Sequence, residues 1–91
     1  MLSEIQKNKF NERAKEEAKR LLGELGIVRL NDDNIGTFQR TLDVYVSGLV
    51  SLQECENKKI DEELLGIYDL LADIVLDNEE NLDFLNQLFF H

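Results

Sequence analysis

A chain of 91 residues with a net charge of −9 has room for one domain and one modest core, and little for a deep, water-excluded catalytic pocket. Hydrophobic residues make up 43% and charged residues 32%, the mix of a folded globular protein rather than a disordered one. No apolar run approaches the roughly 18 residues of a membrane span, and with no proline helix can run nearly from end to end.

The first helix is predicted over 3–22. Ser3 and Gln6 have the spacing of a capping box, and Phe10, Ala14, Ala18, Leu21 and Leu25 recur at helical spacing on one narrow face. Gly23 and Gly26 both suit a helix C-terminus. A connector, 26–32, follows, and Ile27, Val28 and Leu30 make it apolar enough to tuck against the core. The second helix, 33–56, takes Asp32 or Asp33 as its N-cap. Ile35, Phe38, Leu42, Tyr45, Val46, Leu49, Val50 and Leu52 cover an arc of roughly 160° on it.

Asn57, Lys58 and Lys59 turn the chain into a third helix, 61–76. Asp61 is its N-cap, Glu62 and Glu63 fill the first turn, and Ile60 and Leu65 have the spacing of a hydrophobic staple. Its apolar residues cover roughly 240°, which implies burial on most sides. Asn78 then caps a fourth helix, 79–90, with Leu82, Leu85 and Phe89 facing inward and Glu79, Glu80, Asp83, Asn86 and Gln87 facing away. The fold expected is all-α, a compact antiparallel four-helix bundle forming one domain over 1–91. Gly48 and Gly66 lie at similar distances from the turn, and a close approach of the second and third helices there would explain both.

The chemistry of catalysis is sparse. The only histidine is the last residue, His91, and Cys55 sits between Glu54 and Glu56, where neighbouring carboxylates disfavour a thiolate. There is no nucleophile elbow, phosphate loop, His-Glu-x-x-His or Cys-x-x-Cys, and the acidic clusters at 32–33 and 77–83 lack the pattern of a calcium loop. The expectation is a protein without catalytic, cofactor or metal sites. Glu4, Lys7 and Lys9 interrupt the N-terminus before a signal sequence can form, and a single cysteine fits a reducing compartment, so the location expected is the cytoplasm.

Charge is the informative feature. Residues 1–40 carry eight basic and seven acidic side chains, whereas 41–91 carry only Lys58 and Lys59 against twelve carboxylates. Glu62, Asp69, Asp73 and Asp77 line the third helix at i, i+7, i+11 and i+15, and Glu79, Glu80 and Asp83 extend the set if the next helix packs alongside. Like charges four residues apart repel by about 0.2–0.5 kcal/mol per pair, so a stripe with no interleaved base is a candidate binding surface. The partner expected is a basic protein, with no direct binding of nucleic acid or membrane. Small acidic inhibitors and masking proteins of the immunity, antitoxin and viral anti-defence kinds offer an analogy of class, without a shared motif. The alternative expectation is an assembly or adaptor subunit, homodimeric or in a larger complex, that uses the apolar margins at Val44, Leu65, Leu76, Phe84 and Phe90.

Overall fold

The computed structural model describes residues 2–56 and 61–91, with side chains in the third helix given to Glu54. Among the described residues all regular structure is helical: α1 Glu4–Lys9, α2 Glu12–Glu24, α3 Ile35–Glu56, α4 Glu62–Asp77 and α5 Leu82–Phe90. The turn expected at 57–59, the Ile60 staple and the Cys55 side chain lie outside the described residues.

The all-α bundle stands, with one helix more than expected. The Ser3–Gln6 capping box is present, but the first helix breaks after Lys9. Asn11 Oδ1 accepts from the Ala14 amide at 2.9 Å and starts α2 afresh. Phe10, at φ −80° and ψ 82°, leaves the helix, and its ring lies 6.1 Å from Phe89. The apolar face read across the break survives, with Ala14, Ala18 and Leu21 buried. At the far end of α2, Gly26 takes φ 71°, Gly26 N–H donates to Gly23 O and Ile27 N–H donates to Leu22 O. This is a Schellman closure, in which a positive φ favours glycine.

Three further boundaries differ from expectation for one reason: asparagine side chains compete for helix ends. Asn31, not Asp32 or Asp33, organises the start of α3. Its Oδ1 accepts from the amides of Asp33 and Asn34, and Asn34 Oδ1 accepts in return from Asn31 N–H. Asn78 does not start the last helix but closes α4, its N–H donating to Val75 O and its buried side chain to Ile74 O. The residues 78–80 form a turn, and Asn81 caps α5 by accepting from Phe84 N–H.

The core is centred on α4, as its wide apolar arc requires. Ile67, Tyr68, Leu70, Leu71, Ile74 and Val75 are buried, and α4 meets α1, α2 and, most extensively, α3. α5 packs on α2. Phe89 meets Phe38 edge to face at 5.8 Å. Ile27 and Leu30 of the connector are buried, whereas Val28 points outward at 88% exposure. Asn86, expected to face solvent, is buried instead: its Oδ1 accepts from Leu30 N–H at 2.7 Å and its Nδ2 donates to Leu30 O at 2.9 Å. It thereby satisfies both backbone groups of a buried connector residue that has no strand beside it.

The close approach expected at Gly48 and Gly66 does not occur. Both are exposed, and a Cβ at either would meet nothing within 4 Å. The molecule measures 41 × 28 × 19 Å. Its thin dimension is about two helix diameters, so some helix faces have no third layer above them.

Candidate protein-docking surface

α4 presents opposite chemistry on its two sides. Tyr68, on the inner side, stacks edge to face on Tyr45 of α3 at 5.3 Å. Its hydroxyl donates to Glu17 Oε2 at 3.1 Å and accepts from Arg20 Nη2 at 2.9 Å, linking α4 to α2. Burial, then the bond to the Glu17 carboxylate, pushes the Tyr68 hydroxyl above its ordinary pKa. Arg13 of α2 grips the start of α4 through Asp61 at 2.8 Å and Glu63 at 2.7 Å. The Asp61 carboxyl is held below its usual range, first by the bond from Arg13 and then by the Leu64 amide it caps.

The outer edge is different. Glu62, Asp69 and Asp73 are exposed and form no ion pair with any described residue. The arginines that do pair reach elsewhere: Arg13 as above, Arg20 to Glu17 and Glu24, and Arg29 to Asp83 at 3.6 Å.

The seven acids proposed from sequence fall into separate places. Glu62 and Asp69 rim a groove of ≈ 450 Å³ between α3 and α4, whose other lining residues are Val46, Val50, Gln53, Leu65 and Gly66. Asp73 follows on the same edge, one turn beyond Asp69. Asp77 is engaged, accepting from Gln6 Nε2 at 2.8 Å, which ties α1 to the end of α4. Asp77, Glu79 and Glu80 surround a second hollow, of ≈ 330 Å³, with Leu76 and Asn78. Asp83 stands apart on α5, in a crevice it shares with Val28, Arg29 and Phe90. Because the chain turns at 78–80, α5 does not prolong the α4 edge.

The groove itself was missed by reading each helix alone. Its signal in the sequence is a stretch without charge, Val44 to Gln53, opposite the charged edge of the next helix. Val46, Val50 and Leu65 remain only half-buried there, and exposed Asp43 lies on the same side of α3 as Val46.

Among the described residues no three His, Cys, Asp or Glu side chains are grouped to hold a metal ion, and no helix is long and apolar enough to cross a membrane. Comparison of the chain with protein-family models, curated proteins and solved structures finds no match.

Proposed function

We propose that the chain is a non-catalytic protein-binding domain that docks the outer edge of α4 on a basic protein, acting as an inhibitor or masking protein for a nucleic-acid-handling target. The observation that carries this reading is the exposed set Glu62, Asp69 and Asp73, which has no cation from the described chain beside it and borders a half-buried apolar groove. Like charges on one helix edge repel one another, and a cationic partner relieves that repulsion. Asp77, Glu79 and Glu80 at the end of α4 add to the same field.

The test replaces Asp69 and Asp73 by lysine. Affinity for a partner captured with the wild-type protein from its native host is expected to fall by several kcal/mol, since attraction is lost and like-charge repulsion added, while the fold keeps its melting temperature. Wild-type association should be fast and weaken with added salt. Unchanged affinity in the double-lysine protein would leave the edge as an ordinary solvated surface.

A second reading, an assembly or adaptor subunit, draws on the outer face of α3. Val44 is 65% and Leu52 44% exposed, with Ser47, Gly48 and Ser51 exposed between them and no charge from Val44 to Leu52, Arg40 standing one turn before. Such a subunit would bind through this face or around Leu76, and its binding would be indifferent to the double-lysine change.

A further inference from the structure

We infer that the α3–α4 groove receives a cationic amphipathic helix of the partner, its apolar face on Val46, Val50 and Leu65 and its basic side chains on Glu62 and Asp69. The inference rests on the proposed use of the α4 edge and adds the form and chemistry of what lies there. Three observations lead to it. The floor is apolar and built from two helices whose backbone groups are bonded internally, so it offers no edge to which a strand could add. A segment entering it must satisfy its own backbone, which a helix does. The rim is acidic, with Glu62 and Asp69 in the lining and Asp73 and Asp43 just outside it, and α3 beyond Arg40 and all of α4 contain no lysine or arginine. A second copy of this chain, at net −9, is the wrong charge for that rim.

Gly66 is the third observation. It stands at the lip of the groove with open space above it, so the surface of α4 is notched to the backbone where an incoming helix would pack most closely. A smaller hollow of ≈ 270 Å³ lies on the other side of Gly66, but Lys9 lines it, which places the cationic occupant on the α3 side. Glu62 to Asp69 spans about two helical turns, matching apolar anchors at i, i+3 or i+4, and i+7 on the occupant.

The probe is a synthetic peptide of about five turns, with leucines at those spacings and lysines and arginines elsewhere, compared with a scrambled peptide of identical composition. Binding is read by fluorescence anisotropy to wild type, Gly66→Ala, Gly66→Trp, Gly66→Gln and the double-lysine protein, each checked by circular dichroism melting. The amphipathic peptide should bind about tenfold or more tightly than its scramble, keep its affinity for Gly66→Ala, and lose about tenfold or more for both bulky Gly66 variants and for the double-lysine protein. Equal binding of both peptides, lost in the double-lysine protein but indifferent to Gly66, would overturn the groove while leaving the acidic edge in place. Binding indifferent to the double-lysine change would overturn both. No peptide binding would overturn the helix inference alone, the edge then being decided with the captured partner. A dimer in sedimentation velocity that Gly66→Trp dissociates would assign the groove to a second copy and also overturn it.

Discussion

Two ends of the same bundle are held together in different ways. Around Phe89, four segments converge: α1–α2 through Phe10, α3 through Phe38, α5 itself, and the connector through Leu30. Phe38, Leu85 and Phe89 are fully buried there. Where α3 and α4 pair near residues 46–50 and 64–66, their apolar side chains stop at half-burial, because no further helix among the described residues covers the groove. The lesson is that stability is concentrated where several elements share one set of side chains, and binding capacity is left where only two do.

The strongest way to break this comparison is to truncate one side chain at each end. Phe89→Ala is expected to cost roughly 3–5 kcal/mol, since a fully enclosed ring leaves a cavity, whereas Val50→Ala should cost less than about 1 kcal/mol because its site is partly wet and can close. Urea unfolding with a shared slope measures both. Comparable losses would mean that the groove is as much core as the aromatic end.

The next effect sharpens the account of the buried end. Asn86→Ala removes the side chain bonded to both backbone groups of Leu30, and leaving a buried amide or carbonyl unsatisfied costs about 1–3 kcal/mol per group. Hydrogen exchange at the Leu30 amide should quicken more than at core amides of α4. A uniform change across the molecule would show that the clamp acts only through global stability.

The smallest effect belongs to the exposed face of α3. Gly48→Ala should stabilise the protein by about 0.5–1 kcal/mol, because a methyl group there has open space and the helix loses less backbone entropy on forming. Thermal melting decides the sign. A destabilised variant would mean that a close neighbour covers this face, favouring self-association through α3.

Much of the fold was legible locally. Ser3, Gln6 and Asp61 act as the caps their spacing predicts, and the wide apolar arc of α4 identified the central helix, because capping and periodicity involve residues within one or two turns of each other. The carboxylates of the α4 edge were legible for the same reason: helical spacing alone puts Glu62, Asp69 and Asp73 in line.

The remainder depended on partners distant in the chain. Nothing near residue 86 marks Asn86 as buried, since its partners are the backbone groups of Leu30, 56 residues away. The break at Phe10 combines a local cap, Asn11, with a ring contact to distant Phe89, and Asp77 is engaged by Gln6, 71 residues earlier. Gly48 and Gly66 could not be assigned from their positions along two helices, because that spacing is compatible with facing inward or outward. The sequence determined which residues share a face of each helix, a matter of local backbone geometry. Only the tertiary structure decided which of those faces are covered, because burial is a property of several segments meeting at once.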